Sequence, residues 1–537
     1  VLVIETMAGV KGGNMAAVRK TGFGGWALAL CLLLVLSAGC NREPETTLKV
    51  LAGSELQDME PVLRDMEAAT GVRLQMDYAG SLDGAERLAG GEKADLAWFS
   101  HGKYLSLLAG SRVAAQEKIM LSPVVLGVRE SQARIWGWTD NSNLTWRDIA
   151  AKVTSGELRY AMTDPTSSNT GLTALIGLAA AFSGSGETLK PETIDSAALK
   201  SFFAGQALTA GSSGWLAERY LSEQDRLNGM INYESVLLGL NAGGQLREKL
   251  VLVYPKEGIV TADYPLMLLN PAQREAYRKV VDYLRTPDTQ RKIMDLTLRR
   301  PAIAAVKPDA RFSDRLLVEL PFPNSLEVID RLLFAYLDEQ RRPGHALFVL
   351  DTSGSMSGER IQQLKTALVN LAGADRSLSG RFARFRSRER ITFIPFSSDV
   401  QPAQNFQVGD TAAEGNDMRA IRQAALTLQP RGGTAIFSAL QRAYEIAGEA
   451  QRNDLSRYYS IVLMTDGESN EGLSEAEFMS TYRKLPEAVR QVRVFPVLFG
   501  EGDVKVMKRL AEATGGRVFD GRSGSLSQVF KVIRGYQ

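Results

Sequence analysis

The sequence predicts an α/β protein built as two successive domains, and three observations carry that prediction. From Leu48 to about Pro301, short apolar strands alternate with amphipathic helices. The stretch Arg299–Pro323 then breaks the rhythm with four prolines, and a second strand–helix alternation begins at His345. At 537 residues the chain also exceeds what one ordinary hydrophobic core sustains.

Composition narrows the function. With 45% hydrophobic and 23% charged residues the chain has the make-up of a folded protein. A formal net charge of +2 provides no global field for nucleic acid, so no nucleic-acid partner is expected. Two histidines, His101 and His345, and two cysteines, Cys31 and Cys40, leave little material for zinc, Cys/His or Ser/His/Asp chemistry. Neither a P-loop nor an HExxH is present.

Residues 1–39 read as an upstream extension followed by an export signal. In "MAAVRKTGFGGWALALCLLLVLSAGC", Arg19 and Lys20 precede the apolar run Trp26–Leu36 and a small-residue segment ending at Cys40. The run is short for a transmembrane span and suits a signal-peptide core, with Met15 as the translation start. "LSAGC" resembles the bacterial lipoprotein lipobox, which implies acylation of Cys40 and a membrane-anchored, extracytoplasmic protein of the cell envelope. Ser37 stands where that motif usually has Leu, so ordinary signal cleavage or an uncleaved anchor is the alternative. Cys31 would leave with the signal, and one acylated cysteine leaves no disulfide. Residues 40–47 form a polar tether.

Residues 48–305 hold the first domain. "LKVLAG" is a strand, "MEPVLRDMEAATG" a helix stopped by Gly71, and "VRLQMDYAG" and "ADLAWFS" are further strands, a rhythm that implies a largely parallel sheet. Residues 306–343 are a connector. Its "SLEVIDRLLFAYLDEQRRPG" predicts a helix closed by Pro343 and Gly344, whose apolar face packs on one or both neighbours. Residues 344–537 hold the second domain, with strands "ALFVLD", "ERITFIPFSS", "YYSIVLMTDG" and "VRVFPVLFG".

Three loops of the second domain carry matching chemistry at strand ends, where ligands collect in open parallel sheets. "DTSGS" places Asp351, Ser353 and Ser355 after an apolar strand; "RGGTA" presents Thr434 before a helix; "MTDG" ends a strand at Asp466. Two carboxylates and three hydroxyls make a hard oxygen set suited to Mg²⁺, with Mn²⁺ as a substitute. Asp, Ser and Gly are also ordinary strand-end caps and turns, and a purely loop-shaping ion is a further alternative. These motifs, in this order, resemble a von Willebrand factor A domain with a complete metal-ion-dependent adhesion site, over about Gly344 to Gln537. The resemblance implies a Rossmann-like doubly wound fold. It further implies that Ser353, Ser355 and Thr434 ligate the ion directly, with Asp351 and Asp466 close by, and that an acidic residue of a protein partner completes the shell.

The first domain resembles type 2 periplasmic solute-binding proteins, especially those that bind oxyanions, which implies two lobes around a cleft. Ser54 in "VLAGSEL", Ser81 in "YAGSLDGAERL" and Ser100 in "DLAWFSHG" end strands or open helices. In "YAMTDPTSSNTGLTALIGLAAAF", Asp164, Thr166, Ser168, Asn169 and Thr170 line a polar turn, and "MINYESVLL" supplies Glu234. Hydroxyls, amides and helix N-termini can hold an anion without a full countercharge, although each serine alone reads equally as an N-cap. Asp164 and Glu234 sit awkwardly beside an anion, so a neutral or cationic solute and a protein-docking cleft stay open.

"RFARFRSRER" holds five arginines between Arg381 and Arg390 and reads as a solvated face, with acidic lipid as the sharper alternative. The apolar helix Leu172–Phe182 reads as core. No nucleophile–base pair is recognisable. The sequence therefore favours a non-enzymatic, envelope-anchored protein that binds a partner through a Mg²⁺ site while the first domain senses or docks. The alternative is an extracytoplasmic solute receptor serving a membrane permease.

Overall fold

The computed structural model describes residues 46–537 except 185–188, 316, 413, 501–502, 523–525 and 535–537, so the export signal, Cys40 and most of the tether lie outside the described residues. Strands β1 (Thr46–Gly53), β2 (Val72–Ala79), β3 (Leu96–Trp98) and β4 (Ala115–Lys118) open the first domain. β5 (Met120–Arg129), β6 (Tyr160–Thr163), β7 (Gln206–Ala210), β8 (Gly229–Tyr233), β9 (Leu250–Val253) and β10 (Thr261–Ala262) follow, then β11 (Pro265–Leu268) and β12 (Arg300–Pro301). One sheet runs β2-β1-β3-β11-β4 and the other β10-β5-β8-β6-β7, with β9 and β12 paired to β5. The chain crosses between the sheets after β4, before β11 and once more before β12. These crossings make two lobes, as the resemblance implied, but they correct the largely parallel sheet read from the strand rhythm. β1–β3 and β6–β8 pair in parallel, whereas β5 runs antiparallel to β8, β9, β10 and β12, and β11 to β3 and β4, because β5 and β11 each enter from the other lobe.

Local chemistry sets the helix ends. Gly71, in the left-handed region at φ 69°, stops the helix Glu60–Thr70, as read from the sequence. The helix Asn169–Ser183, which covers the apolar segment Leu172–Phe182, is buried on nearly every face and is core. Among the described residues no helix is long and apolar enough to cross a membrane.

The second domain has β13 (Gly344–Asp351), β14 (Arg390–Phe396), β15 (Gln404–Gln407), β16 (Tyr458–Thr465), β17 (Arg493–Leu498) and β18 (Phe519–Asp520), in one sheet ordered β15-β14-β13-β16-β17-β18. All neighbours are parallel except β14 and β15. β13 and β16 are apolar almost throughout because helices cover both faces of the sheet.

The connector helix ends earlier than its apolar period predicts. It is α-helical over Leu326–Ala335, relaxes into a π turn over Tyr336–Gln340, and is extended from Arg341. Gly344 opens β13 instead of closing the helix. The cause lies in the arginines: Arg341 pairs with Glu389 at 2.6 Å, and Arg342 donates to the carbonyls of Leu455 and Ser456, so both are drawn out of helical geometry. The helix buries Val328, Ile329, Leu332 and Leu333 in the same apolar cluster as the first domain, which also takes in Phe382 of the second. The described residues from Thr46 onward form one compact unit.

The arginine run is a correction to the sequence reading, which placed it on a solvated or lipid-facing surface. Arg386 is fully buried; Arg381 pairs with Asp330 at 2.7 Å, Arg386 with Asp338 at 3.5 Å, and Arg388 donates to the Asp338 carbonyl at 2.7 Å. These contacts clamp the connector to the second domain.

Candidate functional site

Parallel pairing of β13 with β16 brings the ends of these strands together, since Leu350 faces Met464 and the next residues are Asp351 and Thr465. Asp351 is fully buried. Its Oδ1 accepts the Ser353 N–H at 2.8 Å, and its Oδ2 accepts the Thr465 hydroxyl at 2.6 Å. The Ser353 and Ser355 hydroxyl oxygens lie 2.9 Å apart, Ser353 buried and Ser355 exposed.

The second loop is stitched to the first. Gly354 N–H donates to Gly432 O at 2.9 Å, and Arg431 N–H to Thr352 O at 2.8 Å. Gly432 sits at φ 69°, and a Cβ there would lie 2.7 Å from Ser398 Oγ, so glycine is required. The turn delivers Thr434, 3% exposed, whose N–H donates to Asn470 Oδ1 at 2.8 Å and whose carbonyl accepts Asn470 N–H at 3.0 Å. The third loop begins at Asp466, whose Oδ2 accepts Arg360 Nη1 at 2.7 Å; that same nitrogen donates to the Ser355 carbonyl at 3.2 Å.

Hydrogen bonds therefore join all three loops, and Arg360 links Ser355 to Asp466. Burial raises the Asp351 carboxyl to about 6, against the hydrogen bonds from Ser353 and Thr465, and the Asp466 charge adds to the rise. Two carboxylates that repel through a buried, hydroxyl-lined corner fit a hard divalent cation, which would relieve that repulsion. Among the described residues no group of three or more His, Cys, Asp or Glu is placed to hold a metal, so a soft or all-carboxylate site is not the pattern here. Arg360 was not singled out from sequence; the only local signal is its place one residue into the helix Glu359–Val369 that follows "DTSGS".

In the first domain the structure brings some of the sequence-predicted residues together. Ser81 and Ser100 share a hydrogen bond at 3.1 Å, Thr170 and Ser213 one at 2.6 Å, and Asn169 Nδ2 donates to Tyr233 OH at 3.2 Å. Ser100 and Thr170 also act on the Tyr233 hydroxyl, so this ring links the groups; burial pushes that hydroxyl well above its usual range, and the Glu55 charge adds to the rise. Ser168 is the N-cap of the helix Asn169–Ser183 without a side-chain cap bond, and Ser54 is half-buried past the end of β1. Asp164 accepts both the N–H and the hydroxyl of Thr166, so that turn closes on itself. Glu234 is fully buried and held by Arg300 through two bonds of 2.7 Å, with Tyr254 OH as a third partner.

Sequence reading passed over Glu55, directly after Ser54. Its Oε1 is sealed from solvent without a hydrogen-bond partner, as are Tyr264 OH and Arg299 Nε. Burial pushes the Glu55 carboxyl above its usual range, while its own backbone N–H, Arg299 and the Ser100 hydroxyl pull the other way. This buried cluster thus carries an internal acid among its hydroxyls.

Comparison with known proteins follows these two regions. Residues 48–295 match the family model for bacterial extracellular solute-binding proteins, and residues 347–531 match the von Willebrand factor type A domain. Among curated proteins, the chain is 29% identical over 133 residues to inter-alpha-trypsin inhibitor heavy chain H4 of Sus scrofa, covering 24% of this chain and 13% of that protein. It is 32% identical over 151 residues to heavy chain H3 of Rattus norvegicus, covering 28% of this chain and 15% of that one. Among solved structures, the periplasmic binding protein AfuA from Actinobacillus pleuropneumoniae is 15% identical with a TM-score of 0.43, covering 55% of this chain and 99% of its own. The ferric binding protein from Campylobacter jejuni is 13% identical with a TM-score of 0.42, covering 54% and 96%. An extracellular solute-binding domain followed by a von Willebrand factor type A domain is the architecture of this chain.

Proposed function

We propose that this protein is a non-enzymatic, envelope-anchored binding protein whose second domain grips an acidic residue of a protein partner through Mg²⁺. The observation that carries the reading is the joining of the loops of Asp351, Ser353, Ser355, Thr434 and Asp466 at the carboxyl edge of β13 and β16. Ser353, Ser355 and Thr434 would hold the ion, with Asp351 and Asp466 supplying charge beside it. Mostly neutral ligands leave the ion electron-poor, so an open coordination place favours an outside carboxylate. The anchor in this reading is acylated Cys40, supported by "LSAGC".

The test is a pull-down of envelope proteins with the whole protein, wild type against Asp351→Ala, with and without chelator. Capture that needs Mg²⁺ and the carboxylate supports the reading; capture indifferent to both overturns it. Membrane fractionation of Cys40→Ser tests the anchor, and unchanged retention would remove it.

The second reading, a solute receptor working with a permease, draws on the buried cluster of Ser81, Ser100, Asn169, Thr170 and Tyr233. Glu55 among these hydroxyls favours a neutral or cationic solute over an oxyanion. Saturable thermal stabilisation by amines or metal cations, absent in Glu55→Gln, would support that reading.

A further inference from the structure

A cavity of about 220 Å³ lies where the second lobe meets the C-terminal domain. Five arginines line it: Arg159 and Arg226 from the first domain, Arg342 from the connector, and Arg457 and Arg493 from the second domain. Tyr458 and two glutamines also face it, and no carboxylate does. Arg342 precedes β13, while Tyr458 and Arg493 begin β16 and β17, so the cavity sits at the amino-terminal edge of these parallel strands. The loops of Asp351 and Asp466 lie at the opposite edge.

The charges are only partly balanced from behind. Glu223 is shared by Arg226 at 3.2 Å, Arg493 at 2.7 Å and Arg219 at 3.2 Å. Asp454 serves Arg457 at 2.7 Å and Arg390 at 3.9 Å. Arg342 spends its donors on backbone carbonyls and lies 4.7 Å from the centre of the Tyr458 ring, which brings no negative charge. Among the described residues Arg159 is exposed and has no ion pair. Burial presses the Arg493 guanidinium below its usual range, Glu223 opposes this, and the nearby Arg219 charge adds to it. Guanidiniums packed this way repel unless an anion joins them, and their planar forks match tetrahedral oxyanions.

We propose that this cavity binds a small molecule bearing a phosphate- or sulfate-type oxyanion, held between the two domains. Its volume is below the roughly 300–1,000 Å³ of sites for drug-sized ligands, which favours a compact ligand. Tyr458 OH donates to the Gln206 carbonyl across the same junction, so an anion here would fasten an interface that already exists. The site is separate from both regions discussed above.

The test uses the whole protein with inorganic phosphate and pyrophosphate, chloride at matched ionic strength serving as the control. Calorimetry should show saturable binding, and the unfolding temperature should rise with ligand concentration. Arg159→Glu, at an exposed and unpaired position, should weaken binding about tenfold or more. Arg278→Glu, on an exposed helix position of the first lobe, should leave it unchanged. Co-sedimentation with phosphatidylglycerol vesicles against phosphatidylcholine separates the sources. Binding to vesicles alone, lost in Arg159→Glu, would assign the oxyanion to a lipid headgroup. No binding to either probe, or equal binding by wild type and Arg159→Glu, overturns the proposal.

Discussion

Thr465 donates its hydroxyl to the buried Asp351 carboxylate at 2.6 Å, tying the ends of two adjacent parallel strands beneath the three converging loops. It also accepts the Gly467 N–H at 3.0 Å, so one hydroxyl orders both the carboxylate and the turn after Asp466. Thr465→Val keeps the shape and removes both bonds. It should cost about 1.5–3 kcal/mol, the range for a hydrogen bond to a charged group. Urea unfolding at pH 7.5 measures this; a loss within error would show that the carboxylate finds another donor.

Arg360 places a guanidinium nitrogen 2.7 Å from Asp466 Oδ2, where it competes with any cation for the same oxygen. Arg360→Gln should therefore tighten Mg²⁺ binding by about three- to tenfold, since removing one nearby positive charge at a partly exposed position is worth on the order of 1 kcal/mol. Titration calorimetry on the whole protein reads it. Equal or weaker binding in the variant would refute the competition, while no heat in either protein would count against the metal reading itself.

The three loops of the candidate site were legible as strand-end turns because their geometry is local: "DTSGS", "GGT" and "TDG" each shape a few residues after a strand or before a helix. What joins them was not, because the Asp351–Thr465 bond depends on the register of strands 114 residues apart. Glu55 and Arg299 meet through the closure of the first lobe, across 244 residues for the Arg299 bond to the Glu55 carbonyl. The arginine run failed for the same reason. Its acids, Asp330 and Asp338, stand on the connector, and a charge pattern read along the chain cannot see them.

Glu389 is the centre of the clamp between connector, β14 and the C-terminal helix. Its side chain is 4% exposed and accepts Arg341 at 2.6 Å, Arg534 at 2.5 Å and the Arg386 N–H at 2.9 Å. Arg534 and Arg341 outweigh the cost of burial and hold its carboxyl below the usual range. Glu389→Gln removes the buried carboxylate charge that Arg341 and Arg534 share, so the loss should be about 3–5 kcal/mol. Thermal unfolding and limited proteolysis of the connector should both register it. A variant as stable as wild type would show that the arginines find other partners.

Stability should also fall in acid through His345. This imidazole is 6% exposed on β13, with Nε2 2.9 Å from Thr392 Oγ1. Thr392 in turn donates to Asn405 Oδ1 at 2.8 Å, so its oxygen accepts from His345 and Nε2 carries the proton. Nδ1 is then the bare nitrogen, and it is buried without a partner. A second proton there would be sealed in apolar surroundings near Arg390 and Arg457, so burial first and those charges second lower the imidazole to about 4 from an ordinary 6.5. The unfolded chain then takes up a proton before the folded one does. Above pH 6.5 both are neutral and His345 contributes nothing; from pH 6.5 down to 4 it removes stability progressively, by about 3 kcal/mol in all. His345→Gln keeps a donor for Thr392 and cannot titrate. The difference between wild type and this variant, measured by urea unfolding at several pH values, should be flat above pH 6.5 and move in the variant's favour below it. A difference independent of pH would mean that the buried imidazole accepts its second proton as readily as the unfolded chain does.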